Sequence, residues 1–165
     1  MLLNLLIIQD APKAFLPSKI RIMVRLGCSK FARTSWQTIK LLVEKINAEN
    51  LEGLETLSKL RILDITSTKA LRFLQPLEVL QRLEELTLLF CKEITSYEPL
   101  RQAKQLKRLH LSESAPTQSL DFVRDLPALE RIGVFIDVLD RDLSPLVGVK
   151  NVLLPKLSKK LNYTR

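Results

Sequence analysis

Hydrophobic and polar positions follow a six-residue pattern that recurs along most of the second half of the chain and beyond. The copies are Leu60-Arg61-Ile62-Leu63-Asp64-Ile65, Leu83-Glu84-Glu85-Leu86-Thr87-Leu88, Leu106-Lys107-Arg108-Leu109-His110-Leu111, Leu129-Glu130-Arg131-Ile132-Gly133-Val134 and the weaker Val149-Lys150-Asn151-Val152-Leu153-Leu154. Each is apolar at its first, fourth and sixth places. The first places fall at 60, 83, 106, 129 and 149, so the intervals are 23, 23, 23 and then 20 residues. Each core predicts a short parallel strand, and a fixed period of this length predicts a solenoid in which successive strands lie side by side.

The period extends past the strands. Fourteen residues after each first place stand Leu74, Tyr97, Leu120 and Leu143, and seventeen after stand Leu77, Leu100, Val123 and Leu146. In three copies the latter residue follows a proline, namely Pro76, Pro99 and Pro145; twenty after the first place come Leu80, Ala103 and Leu126. One unit cannot bury these side chains alone, whereas stacked units bury them against each other. The ninth places hold Thr68, Cys91, Ser114 and Asp137, small polar residues suited to bonding the backbone where it turns out of the strand.

These residues carry a resemblance. The L-x-x-L-x-L cores are the leucine-rich-repeat signature, and with the recurring Pro-Leu the repeats over roughly residues 51–157 resemble bacterial leucine-rich-repeat proteins of the internalin-like type. Ser119-Leu120-Asp121-Phe122-Val123 and Asp142-Leu143-Ser144-Pro145-Leu146 are similar to repeats of small bacterial members of that group. The resemblance implies an α/β leucine-rich-repeat solenoid, with a curved parallel β-sheet on the concave face and short helical or irregular convex segments. It implies protein–protein recognition on the concave strands, with no catalytic residue and no cofactor.

The chain divides accordingly into residues 1–35, a non-repeat N-terminal segment or cap, residues 36–157, the repeat domain, and a basic tail at 158–165. Leu2 to Ile8 is apolar apart from Asn4; with no basic residue before it, it makes a poor secretory signal and either covers the open end of the first repeat or lies exposed. Ile20, Ile22, Val24 and Leu26 alternate with Arg21, Met23 and Arg25, which predicts a strand over 19–26 ended by Gly27. Residues 36–59 admit two readings. Trp36, Ile39, Val43 and Ile46 follow helical spacing, while Trp36, Ile39 and Leu41 fit places one, four and six of a degenerate repeat, which the β-branched run Ile39 to Val43 favours slightly.

Composition bounds the function. The 165 residues, 46% hydrophobic and 27% charged, suffice for one globular domain. Two cysteines, Cys28 and Cys91, make no disulfide framework and point to a reducing, cytoplasmic setting. Cys28 lies among Arg25, Lys30 and Arg33, a setting that favours a thiolate. No apolar run is long enough to span a bilayer. The net charge of +8 is uneven: residues 1–50 carry eight basic against three acidic side chains, and residues 150–165 carry five basic and none acidic. Such ends act as solubilising caps, or, less in keeping with the repeats, bind nucleic acid.

Equivalent places on neighbouring strands lie about 4.8 Å apart, so rows read across the copies are spatial statements. The second places, Arg61, Glu84, Lys107, Glu130 and Lys150, alternate in sign and form a ladder that holds register. The third places are Ile62, Glu85, Arg108, Arg131 and Asn151; the fifth are Asp64, Thr87, His110, Gly133 and Leu153; the seventh are Thr66, Leu89, Ser112, Phe135 and Pro155. All should face outward on the concave surface. Apolar Leu89 and Phe135 among charges suit a partner-binding patch, so Glu85, Arg108, Arg131, His110, Leu89 and Phe135 are the expected contact residues for a protein or peptide. The lone histidine does not predict catalysis. Ser112 faces the same side, but Asp64 lies two strands away, roughly 10 Å on the strand spacing, too far for a relay. With no Gly-rich phosphate loop, metal-ligand cluster or paired carboxylates, the expected function is non-catalytic protein binding. The alternatives are a nucleic-acid-associated protein using its basic termini, and a fragment of a larger effector whose catalytic domain lies elsewhere.

Overall fold

The structure is a computed structural model describing residues 5–7, 21–26, 39–44, 48–52, 54, 57 and 59–155, with 5–7, 21–26 and 39 described by backbone alone. The expectations for Cys28 and Trp36, for most of residues 1–35 and for the basic tail at 158–165 lie outside the described residues.

A single sheet of eight strands runs in chain order. The strands are β1 (Leu5–Ile7), β2 (Arg21–Leu26), β3 (Ile39–Glu44), β4 (Leu60–Thr66), β5 (Glu85–Leu89), β6 (Arg108–Ser112), β7 (Arg131–Phe135) and β8 (Asn151–Leu153). From β3 to β8 every neighbouring pair is parallel, while β1–β2 and β2–β3 are antiparallel. A parallel neighbour requires a crossover, and here the crossovers are the convex halves of the repeats. They contain short 3-10 segments at Gln75–Val79, Glu98–Gln102, Asp121–Asp125 and Ser144–Leu146. Proline sits at the start of three of them, where its missing N–H costs nothing. The shortened last interval leaves a three-residue segment where the others have five. Gly148, at φ +98°, makes the tighter return that follows.

The first unit departs from the expected register. Leu41 pairs with Leu63 and Val43 with Ile65, so Leu41 and Val43 hold the fourth and sixth places, two residues later than Ile39 and Leu41. A register shift between Ile39 and Lys40 accounts for the offset. The segment is a strand, not a helix, over Ile39–Glu44.

The core follows the period. All first-, fourth- and sixth-place residues of the four repeats starting at 60, 83, 106 and 129 are buried, at most 8% exposed. The convex leucines Leu74, Leu77, Leu80, Leu100, Leu120 and Leu126 complete it. Two non-consensus residues meet there. Tyr97 replaces leucine, Phe122 replaces the proline of the other repeats, and their rings stack at 6.2 Å. The Tyr97 hydroxyl donates to the Ala115 carbonyl at 2.8 Å, and burial pushes its pKa up.

The first three ninth places close their turns. The Thr68 hydroxyl lies 3.0 Å from Cys91 Sγ, and the Cys91 backbone N–H donates to Ser114 Oγ at 3.1 Å. The residues just before them, Ser67, Phe90 and Glu113, take left-handed φ of 56°, 56° and 49°, so the chain turns sharply out of each strand and the ninth-place side chain supplies the hydrogen bond that the ladder no longer provides.

Candidate interaction face

Alternation along each strand turns places three, five and seven away from the core, onto what is the concave face of a leucine-rich-repeat solenoid, and the second places lie just ahead of β5 to β8. Strand pairing aligns the third places Ile62, Glu85, Arg108, Arg131 and Asn151 in one row. Thr87, His110, Gly133 and Leu153 align in the next, and Leu89, Ser112 and Phe135 in a third.

The alternating second row forms ion pairs. Glu84 accepts from Arg61 Nε at 2.7 Å on one carboxylate oxygen and from Lys107 Nζ at 3.3 Å on the other. Lys150 Nζ donates to Glu130 at 3.1 Å. The Arg61 hydrogen bond, followed by Lys107, holds the Glu84 carboxyl below its usual range; Lys150 does the same for Glu130. A carboxyl whose pKa is depressed by folding binds its proton more weakly in the native state than in the unfolded chain. Its stabilisation is therefore in place above the unfolded value of about 4.3 and is lost as pH falls through the lower native value. Glu84→Gln should cost about 1 kcal/mol at neutral pH. Urea titrations should show the gap between variant and parent closing as the pH drops below about 4.

Of the expected contact residues, four line one open depression of about 150 Å³: Glu85, Arg108, His110 and Arg131, together with Thr87, Gly133 and Leu153 and the strand backbone. Glu85 and Arg108 form an ion pair across β5 and β6. Arg131 is exposed, and the described residues offer it no ion pair. Leu89 and Phe135 sit at the far end of the strands, both half-buried. Phe135 joins the depression indirectly through His110, whose ring lies 5.4 Å from its own, tilted by 47°.

Gly133 shapes this arrangement. A Cβ there would stand 2.5 Å from His110 Nδ1 and 3.2 Å from the Phe135 ring, so the histidine leans across β7 only because that position has no side chain. Gly133 and Leu153 were not among the expected contacts. Gly133 is the only glycine in a six-residue core, and that absence of a side chain in an outward row was the signal for a hollow. The lean also points His110 away from Asp64, which is paired with Lys40 at 2.6 Å.

Among the described residues no group of His, Cys, Asp and Glu could hold a metal, and no helix is long and apolar enough to cross a membrane. Cys91 is buried and shielded within the turn ladder.

Comparison with known families identifies the repeat. A family model described as R13L1/DRL21 LRRs matches residues 9–114, which takes in the segment ahead of the first clear repeat. Two solved structures from Listeria monocytogenes are similar. An internalin, inlF, is 17% identical with a TM-score of 0.38, over 70% of this chain and 46% of its own. Internalin C2 is 16% identical with a TM-score of 0.44, over 72% of this chain and 80% of its own. This chain thus spans less than half the length of the inlF chain. No curated protein matches it. With parallel strands at the 23-residue period and a family match over more than half its length, the chain belongs to the R13L1/DRL21 family of leucine-rich-repeat proteins.

Proposed function

We propose that this protein is a non-catalytic recognition module that binds a protein or peptide through the outward face of β5 to β7. Leucine-rich-repeat domains commonly serve as protein-interaction modules, and one observation carries the reading here. The third row places Glu85, Arg108 and Arg131 beside a hollow at Gly133 that is walled by His110 and Leu153. Charged, aromatic and apolar groups thus converge on one rigid parallel sheet, which suits largely pre-formed recognition. The face is small and shallow, with the mixed charged and apolar groups of a binding surface, and the cysteine usage fits a reducing, cytoplasmic setting.

The double substitution Arg108→Glu with Arg131→Glu should abolish capture of a specific partner from a lysate of the source cells. Both side chains are exposed, so circular dichroism and the unfolding midpoint should stay close to those of the parent. Retention of the same partner by the double variant would place the binding surface elsewhere. Nuclease-sensitive recovery of nucleic acid alone, lost at higher salt, would favour the basic termini instead.

A further inference from the structure

We infer that the hollow beside β7 selects its partner through a carboxylate: an extended acidic peptide docks with one Asp or Glu side chain on Arg131, its stem lying between the His110 ring and Leu153. This deepens the reading of the face as a protein-binding surface and rests on it.

The third row carries the argument. Glu85 neutralises Arg108, leaving Arg131 between Arg108 on β6 and Asn151 on β8 with no counter-charge among the described residues. A carboxylate arriving at Arg131 therefore meets an exposed guanidinium that no described side chain neutralises. Arginine is suited to this because its planar fork meets both carboxylate oxygens. The floor also fits. Gly133, two residues along the same strand face, lets the His110 ring fold down over β7, and Leu153, 51% exposed, offers apolar contact to an aliphatic stem. At about 150 Å³ the hollow is below the roughly 300–1,000 Å³ typical of small-molecule sites, which favours one side chain of a larger partner over a free metabolite.

The neighbouring charges favour a single carboxylate over a polyanion. Glu85 sits directly beside Arg108 in the row, and Glu84 and Glu130 lie close enough to act on the same guanidinium. A phosphate chain following the row would run over Glu85, whereas one carboxylate at Arg131 stays two strands away from it.

The test is selection of a random-peptide phage library on the full chain, with excess single-stranded oligonucleotide present. Selected peptides should be enriched in Asp and Glu relative to the starting library. A synthetic copy with glutamine for the acidic residue should bind about tenfold more weakly, the scale of one charge-assisted hydrogen bond. Arg131→Ala should weaken the acidic peptide by a similar factor and leave the glutamine copy nearly unchanged. Peptides without acidic enrichment, or bound equally by parent and Arg131→Ala, overturn the carboxylate assignment. If binding of those peptides is still lost in His110→Ala with Phe135→Ala, the recognition face stands without it. Failure to select any peptide, or complete displacement by the oligonucleotide, overturns both.

Discussion

Phe122→Ala is expected to lower the unfolding free energy by about 3–5 kcal/mol, the range for removing a fully buried aromatic ring. Phe122 is 0% exposed and Tyr97 2%, and each is the other's partner at 6.2 Å. The backbone itself tolerates change at this place, because the equivalent residues Pro76, Pro99 and Pro145 open the other 3-10 segments. Phe122→Pro should therefore lose nearly as much as Phe122→Ala, since what disappears is the ring. Restoring the ordinary repeat at both places, with Tyr97→Leu and Phe122→Pro together, should cost less than the two single changes added, because contacting residues couple. Urea denaturation of the four proteins measures this cycle. Strict additivity would show that the ring contact carries no coupling.

Ser114→Ala should cost about 1–3 kcal/mol, far more than a hydroxyl on an ordinary surface. Ser114 Oγ accepts from the buried Cys91 N–H at 3.1 Å, and its own proton serves the carbonyl of Ser112 at 2.9 Å or of Leu88 at 3.2 Å. Alanine leaves the Cys91 N–H unpaired in the turn between two repeats, where water reaches poorly. Because each repeat is stabilised mainly by its neighbours, the loss should appear in the cooperative transition. Asp137 occupies the same ninth place one repeat later but is exposed, so Asp137→Ala should shift the midpoint little, within about 0.5 kcal/mol. Equal effects at the two positions would contradict the role assigned to the buried ladder.

The repeats were legible because each buried position recurs at the same interval, so one unit interprets the next. Leu63, Leu86, Leu109 and Ile132 could be assigned inward, and Arg61, Glu84 and Lys107 outward, before any coordinate was known. The first unit was harder. Its strand is offset by two residues from the expected register, and the shift at Ile39 and Lys40 leaves no mark in residue spacing. A period-two pattern predicts a strand but not its direction, so the antiparallel attachment of β1 and β2 ahead of β3 required the structure. At the interaction face, the rows of Glu85, Arg108, Arg131 and His110 could be read from alignment of the copies. The hollow was marked only by the missing side chain at Gly133, and its walls depend on which way the His110 ring turns over that glycine, a choice made by side-chain rotation and not by spacing.

The sequence by itself determined the solenoid, the buried positions, the polar turn slots and the alternating charges of the second row, because all of these follow from periodicity and hydrophobic burial. Only the tertiary structure decided which partners those charges take, how Tyr97 and Phe122 complement each other across two repeats, and that Arg131 is left without a counter-ion among the described residues. These depend on side-chain reach and direction between neighbouring repeats, where distances of a few ångströms separate a paired charge from an unpaired one.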